Sequence, residues 1–206
     1  MGRGLILVRH ALPVVSDMVP STDSTLPESS IEDCVLLADC LPDDLAPVVY
    51  SSSQPKAERT AAVIALRRGL TVETDEAFRE VDKPEEWFDV DEDYRAAVAA
   101  YLHDGGRSGW DTHAAVARRF GDAVDRALAA NPSGDVVVVN HGMALSLYVA
   151  SKTPIDLVAF WRALTFPDAW RLHLVSGEMT HLSEEGIPAQ ASTRTDTGEP
   201  GARTPG

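Results

Sequence analysis

Four short segments of the sequence carry side chains that can do chemistry, and each comes after a run that predicts a β-strand. These segments are Arg9-His10, Ser52 to Lys56, Glu80 and His141-Gly142. Together they offer two imidazoles, at least two cations, one carboxylate and two helix N-termini. Because the unpaired backbone N–H groups and the dipole of a helix N-terminus favour anions, this set of groups predicts an anion site.

The chemistry that fits this set is phosphoryl transfer. That reaction needs a nucleophile in line with the leaving oxygen, positive donors for the spectator oxygens and an acid for the leaving group. A neutral imidazole can attack phosphorus without help from a metal ion. The sequence lacks a P-loop, an H-x-x-x-H or C-x-x-C pair and a second set of carboxylates at metal-ligand spacing. We therefore predict neither a metal site nor a cofactor.

The elements that must position these groups alternate between strands and helices. The predicted strands are residues 4–8, 48–50, 70–74, a valine-rich run within 135–142, and a terminal hairpin from 169–175 and 179–182. The predicted helices are residues 31–41, 55–68, 84–103, 116–128, 143–150 and 155–164. This alternation predicts an α/β fold, a three-layer sandwich with a mostly parallel central sheet, helices on both faces and a small helical insertion. Its ligand site lies at the carboxyl ends of the strands, where all four segments fall.

The chain of 206 residues, 44% of them apolar, is long enough for one domain with a substantial core. We predict that this domain spans residues 1–183, with the helical insertion at about 84–110. Residues 184–206 are small, polar and rich in Gly and Pro, so we predict a disordered tail.

The charge balance limits the possible partners. Lys and Arg number 18 against 32 Asp and Glu, a net charge of −14, which argues against nonspecific binding to nucleic acid or to an anionic membrane. An anionic small molecule is also repelled at long range, so a phosphate site needs a local cluster of cations. The sequence shows no secretory signal and no apolar run long enough to span a bilayer, which predicts a cytoplasmic monomer or homodimer.

The four segments resemble, in order, the motifs of the histidine phosphatase superfamily, also called phosphoglycerate mutase-like. LILVRHA at 5–11 is similar to its L-V-R-H-G/A signature. YSS at 50–52, with KA at 56–57 and TA at 60–61, resembles its S-P-x-x-R-A-x-x-T-A block. FRE at 78–80 resembles the L-x-E block, and VVNHG at 138–142 the V-x-H-G block.

The resemblance implies a role for each catalytic candidate. His10 would be the nucleophile that becomes phosphorylated, and Arg9 would bind the phosphoryl oxygens beside it. His141 would donate to the same oxygens. Glu80 would protonate the leaving alkoxide and then activate water for dephosphorylation of His10. The implied activity is metal-free hydrolysis of a small phosphorylated metabolite.

The predicted phosphate-binding set departs from the family pattern at several positions. Lys56 stands where the family has an arginine, so it keeps the charge but loses the planar fork that suits a phosphate. Arg59, one turn along the same predicted helix, is the alternative cation. Leu12-Pro13 and the segment 81–87 also depart from the family pattern. The full predicted set is Arg9, Ser16, Ser52, Lys56, His141 and Gly142.

Two other functions stay open on the sequence alone. A phosphoglycerate mutase-type phosphotransferase shares the same motifs, but it must hold its released phospho compound, and the chain shows no extra basic residues for that purpose. The second alternative is a noncatalytic phosphate-binding regulatory module, which the departures near Pro13, Lys56 and Val81 motivate.

Overall fold

The computed structural model describes residues 3–14, 19–84 and 91–182. Within these ranges six strands form a single sheet. They are β1 (Gly4–Arg9), β2 (Leu45–Ser51), β3 (Thr71–Thr74), β4 (Asp135–Asn140), β5 (Asp168–His173) and β6 (Met179–His181). The order across the sheet is β3-β2-β4-β1-β5-β6. The first four strands pair in parallel, whereas β5 and β6 are antiparallel to their neighbours, so the predicted mostly parallel sheet is confirmed.

The helices of the described ranges cover both faces of this sheet. They are α1 (Ile31–Cys40), α2 (Pro55–Arg68), α3 (Asp91–Asp104), α4 (His113–Ala130), α5 (Gly142–Lys152) and α6 (Leu157–Ala163). Ile6 and Val8 of β1 pack with residues of α1 and α2. Their neighbours Leu5 and Leu7 pack in the cluster that contains residues of α3 to α6. Because successive strand residues point to opposite faces, β1 contributes to two cores, and the three-layer sandwich is confirmed.

Most element boundaries follow local sequence signals. Helix α2 begins with Pro55 and ends at Gly69, which has the left-handed φ of 68° that favours glycine after a helix. Helix α4 begins after Thr112, whose side chain accepts a hydrogen bond from the amide of Ala115. Its buried residues recur at helical spacing and face the sheet.

Several boundaries differ from the sequence prediction by a few residues, and two of these differences concern the elements next to the site. Strand β2 begins at Leu45 and runs through Pro47, where the register against β4 shifts between Leu45 and Val49. Proline lacks the ladder donor, so the sequence pattern indicated only 48–50 as strand. In the insertion, the prediction began the helix at Pro84, which is not helical; residues 85–90 lie outside the described ranges, and helix α3 is described from Asp91.

Some predictions about the chain ends concern residues that the structure does not describe. The predicted tail 184–206 lies outside the described ranges, and the predicted domain limits stay a prediction. Strands β5 and β6 form the expected terminal hairpin, with Gly177 at a φ of 71° in the turn. Among the helices described, none combines the length and the apolar character needed to cross a membrane.

Candidate active site

The backbone ladders of the sheet bring three of the predicted segments side by side. The amide of His10 donates to the carbonyl oxygen of Asn140 (3.0 Å), and the amide of Ser52 donates to that of Val139 (2.9 Å). These bonds continue the pairing of β1 and β2 with β4 by one residue beyond each strand. His10 and Ser52 therefore flank His141 at the carboxyl edge of the sheet.

The two imidazoles lie next to each other in the interior. The ring centroids of His10 and His141 are 5.0 Å apart, with an angle of 62° between the ring planes. Only 6% of His10 and 1% of His141 is exposed. The structure thus brings the two predicted histidines into one buried site.

Hydrogen bonding fixes which nitrogen of His10 is available. Its Nδ1 lies 2.7 Å from the carbonyl oxygen of Ala11, which can only accept, so Nδ1 carries the proton. Burial, followed by the charges of Lys56 and Arg9, holds the pKa of His10 well below its usual range. The ring is therefore neutral near pH 7, and Nε2 has a free lone pair.

His141 is held by the serine hydroxyl beside it. Its Nε2 lies 2.8 Å from Oγ of Ser52, and that oxygen accepts a hydrogen bond from the amide of Gln54 (3.2 Å). Nδ1 of His141 is buried and has no hydrogen-bond partner in the part of the chain that the structure describes. Burial lowers the pKa of His141 well below its usual range, and the charges of His10 and Lys56 add to this shift.

The position of Ser52 differs from the one expected of a helix-capping residue. The N-cap of α2 is Gln54, and its side chain makes no capping bond. Ser52 is buried two residues earlier and bonds the amide of Gln54 and the ring of His141 instead. Its hydroxyl therefore belongs to the site rather than to the first turn of the helix.

Arg9 lies between an aromatic ring and the start of α5. Its Cζ is 3.4 Å from the ring centroid of Phe166, and its Nη1 donates to the carbonyl oxygen of Leu164 (2.8 Å). Nε is buried and unpartnered within the described ranges. Burial lowers the pKa of Arg9 to about 10, with the Glu80 carboxylate opposing the shift, so the guanidinium stays charged at neutral pH.

Phe166 is a site residue that sequence reasoning missed. Its ring centroid is also 5.4 Å from that of His10, so it packs against both members of the Arg9-His10 pair. It precedes β5 in a short loop that none of the sequence motifs covers. No signal in the sequence points to it.

Lys56, and not Arg59, is the cation that α2 presents to the site. Lys56 is 7% exposed, and its Nζ donates to the carbonyl oxygen of Ser21 and lies 3.5 Å from Oγ of Ser24. Burial lowers the pKa of Lys56 to about 8, although Glu80 opposes this shift. Arg59 is exposed and lines a surface groove with Ile31.

Glu80 is not part of a solvated acidic loop. Its Oε1 accepts hydrogen bonds from the amides of Ala144 (2.8 Å) and Val81 (2.9 Å), and its Oε2 accepts one from Met143 (3.1 Å). The carboxylate therefore lies against the N-terminus of α5, directly after His141, where the helix dipole favours a negative charge.

Two predicted features lie outside the residues described. Ser16 falls in 15–18, and residues 85–87 of the segment that replaces the family motif after the acid fall in 85–90. Among the described residues, no group of three or more His, Cys, Asp or Glu side chains could hold a metal ion.

Several solved structures share this fold. YhfR of Bacillus stearothermophilus is 21% identical with a TM-score of 0.70, over 91% of this chain and 98% of that one. A mycobacterial glucosyl-3-phosphoglycerate phosphatase, solved with inorganic phosphate, is 23% identical with a TM-score of 0.65, over 87% and 95%. A putative alpha-ribazole-5'-P phosphatase of Escherichia coli K-12 is 19% identical with a TM-score of 0.61, over 88% and 95%. At such identities the likeness concerns the fold.

Sequence comparison identifies the family. None of the curated proteins matches the chain. The family model of the histidine phosphatase superfamily (branch 1), however, matches residues 5–179, a range that contains all four sequence segments and the loop with Phe166. The chain belongs to the histidine phosphatase superfamily, branch 1.

Proposed function

We propose that the chain hydrolyses phosphomonoesters of small metabolites in two steps, through a phosphohistidine at His10 and without a metal ion. The observation that carries this proposal is the pair of buried imidazoles 5.0 Å apart, flanked by two donors that lack partners within the described residues, Nε of Arg9 and Nδ1 of His141. A phosphoryl group bound on Nε2 of His10, beside the two rings, would accept hydrogen bonds from both donors. Buried polar groups without partners are rare, so these two support an anion site.

In the first step, Nε2 of His10 attacks phosphorus. The Nε2–P bond forms as the bond from phosphorus to the alcohol oxygen breaks, and Glu80 delivers a proton to that oxygen. Oε2 of Glu80 accepts a single backbone hydrogen bond, so it keeps a lone pair on which the proton can be held. The carbonyl oxygen of Ala11 continues to hold Nδ1–H, which stabilises the phosphorylated ring.

In the second step, water attacks the phosphohistidine. Glu80, now ionised, takes a proton from the water as the new oxygen–phosphorus bond forms. The Nε2–P bond breaks, its electron pair returns to the imidazole, and inorganic phosphate leaves. Glu80 and His10 are thereby restored to their starting states.

Both imidazoles need the Nδ1–H tautomer for these roles. His10 keeps its proton on Nδ1 so that Nε2 can attack. In His141, the Ser52 hydroxyl accepts from the amide of Gln54 and donates to Nε2, which leaves the proton on Nδ1, aimed at the anion. The other tautomer of His141 would present a bare lone pair to the phosphoryl oxygens and repel them.

Hydrolysis of p-nitrophenyl phosphate and of a panel of phosphorylated metabolites, scored by phosphate release in the presence of EDTA, tests this proposal. We expect turnover, and a phosphoenzyme that is labile in acid and stable in alkali. His10→Ala should lose both. His173 pairs with Gly4 at the amino end of β1, away from His10, so His173→Ala should lose neither. Full activity in His10→Ala would overturn the proposal, as would isomerisation without free phosphate or phosphate binding without turnover.

A further inference from the structure

Glu80, the proposed acid–base residue, lies on a segment that does not pair with any strand of the described sheet. It follows β3, the edge strand, in which every residue is exposed. After β3 the chain makes a short 3-10 turn, Glu76–Phe78, and then continues past Glu80 without regular secondary structure. Phe78 is buried, but the backbone around Glu80 needs other anchors because no strand pairs with it in the described structure.

Helix α4 supplies one anchor through a single arginine. Nη1 of Arg119 donates to the carbonyl oxygens of Ala77 and Arg79, both at 2.8 Å. Its Nη2 donates to the carbonyl oxygen of Glu80 itself, also at 2.8 Å. The planar guanidinium thus binds three carbonyl groups of the segment at once.

Asp111 binds the backbone on the C-terminal side of Glu80, at Asp82, and also lies close to Arg119. Its carboxylate accepts a hydrogen bond from the amide of Asp82 (3.1 Å), and its own amide donates to the carbonyl oxygen of Asp82 (2.8 Å). The same carboxylate lies 3.5 Å from Nη2 of Arg119. Together these contacts fix the backbone on both sides of Glu80.

We infer that Arg119 is a positioning residue for the acid–base step: by binding the carbonyl oxygens of residues 77, 79 and 80, it holds the Glu80 carboxyl at the N-terminus of α5. This inference rests on the proposed function of Glu80. Arg119 contacts the backbone that carries the acid and not the reacting groups. A misplacement of about 1 Å costs roughly 10²-fold in rate, so a displaced general acid would be seen as a lower rate of the step that it assists.

The chain contains a matched control for Arg119. Arg68 also donates to three carbonyl oxygens, those of Ala38 (2.9 Å), Leu41 (2.9 Å) and Pro42 (2.7 Å). Its side chain is 16% exposed, and so is that of Arg119. Arg68 ends α2 and binds the end of α1, so it anchors backbone without touching the segment of Glu80.

The leaving group distinguishes positioning of the acid from general stability. A nitrophenolate leaves without a proton, whereas an alkoxide needs one, so a displaced acid slows alkyl phosphates more than aryl phosphates. We would measure kcat/KM for a series of aryl and alkyl phosphates with wild type, Glu80→Gln, Arg119→Met and Arg68→Met. We expect Arg119→Met to lose about 10-fold more activity on alkyl than on p-nitrophenyl phosphate, in the same direction as Glu80→Gln. Arg68→Met should lower both equally or not at all.

The same comparison contains the results that would overturn the inference. An equal loss on all substrates in Arg119→Met, or a pattern identical to that of Arg68→Met, would show that Arg119 only stabilises the fold. If Arg119→Met does not fold, Arg119→Lys replaces it, and an unchanged leaving-group dependence in that variant rejects the inference. Absence of turnover and of phosphoenzyme in the wild type would instead reject the proposed function, so the two failures are distinguishable.

Discussion

Gly142 lies directly against the guanidinium of Arg9. A Cβ at position 142 would come within 3.2 Å of Nε and 3.3 Å of Cζ of Arg9. Phe166 also packs on the guanidinium, with its ring centroid 3.4 Å from Cζ, which restricts where the side chain of Arg9 can move. The glycine of the His-Gly motif therefore allows the guanidinium of Arg9 to approach the N-terminus of α5.

The variant Gly142→Ala tests this contact. Overpacking of this kind costs about 1–3 kcal/mol, and here it would displace Nε of Arg9 from the anion. We expect inorganic phosphate to bind at least about tenfold more weakly, which corresponds to about 1.4 kcal/mol. Isothermal titration with phosphate measures the change. Gly106→Ala is the control, because an added Cβ there meets nothing within 4 Å; equal affinity in the two variants would contradict the prediction.

Lys56 should make phosphate binding depend on pH in the alkaline range. Its pKa is lowered to about 8, chiefly by burial, so its ammonium group loses its proton as the pH rises through 8. Inorganic phosphate is mostly the dianion at pH 7.5 and becomes more fully so towards pH 9, so a fall in affinity over this range comes from the lost charge on the protein. We expect phosphate affinity to fall about tenfold between pH 7.5 and 9.

Lys56→Arg provides the comparison for this pH effect. An arginine stays charged throughout this range and offers a planar fork for phosphate oxygens. We expect tighter phosphate binding at pH 7.5 and little decline up to pH 9. Weaker binding in Lys56→Arg would mean that the pocket fits lysine, and an unchanged decline above pH 8 would assign the titration to another group.

Sequence reasoning located the site because the geometry of a parallel sheet is general. The carboxyl ends of β1, β2 and β4 meet at one edge, so Arg9-His10, Ser52 and His141 had to come together once the strands were identified. The sequence pattern of α2 also allowed a choice between Lys56 and Arg59 as the cation that the helix presents to the site. Lys56 lies in the buried stripe of α2 with Ala57, Thr60, Ala61 and Ile64, and Arg59 lies outside it.

Other parts of the site depend on contacts that no local pattern records. The sequence does not show that the amides of α5 lie opposite the Glu80 carboxylate. The carbonyl oxygen that holds Arg9 belongs to Leu164, 155 residues away along the chain. Arg119 and Phe166 likewise act through tertiary contacts, which only the folded chain reveals.

Ser52 should control the tautomer of His141. In Ser52→Ala, Nε2 of His141 loses its hydroxyl partner, and the proton is free to move from Nδ1 to Nε2. We expect kcat/KM to fall by about tenfold, as the loss of about 1–1.5 kcal/mol of hydrogen-bond energy implies. Nitrogen-15 NMR of the imidazoles measures the tautomer directly and should show the Nδ1–H form in wild type only.

Ser51→Ala is the matched control for that variant. Ser51 is as fully buried as Ser52, and its hydroxyl donates to the carbonyl oxygen of Ser52 rather than to an imidazole. Its loss should leave the His141 tautomer unchanged. If both serine variants kept the wild-type tautomer and rate, the hydroxyl of Ser52 would have no part in orienting His141.

Phe166 should contribute to phosphate binding through Arg9. The centroid of its ring lies 3.4 Å from Cζ of Arg9, so the cation–π contact helps to hold the guanidinium in place. In Phe166→Leu the apolar surface remains but the aromatic face is lost. We expect a loss of about 1 kcal/mol in phosphate binding, a factor of about five in Kd. Phe166→Tyr keeps the aromatic face and should bind as wild type does.

Phe160→Leu separates this effect from a general loss of packing. Phe160 is likewise half-buried, but its ring packs against Trp170, with the centroids 5.2 Å apart, and not against Arg9. Both leucine variants should lose thermal stability, because each removes part of an aromatic pair or stack. Only Phe166→Leu should weaken phosphate binding, because only Phe166 lies on the guanidinium that faces the anion. Equal phosphate affinities in the two variants would show that the backbone carbonyl of Leu164 is sufficient to orient Arg9.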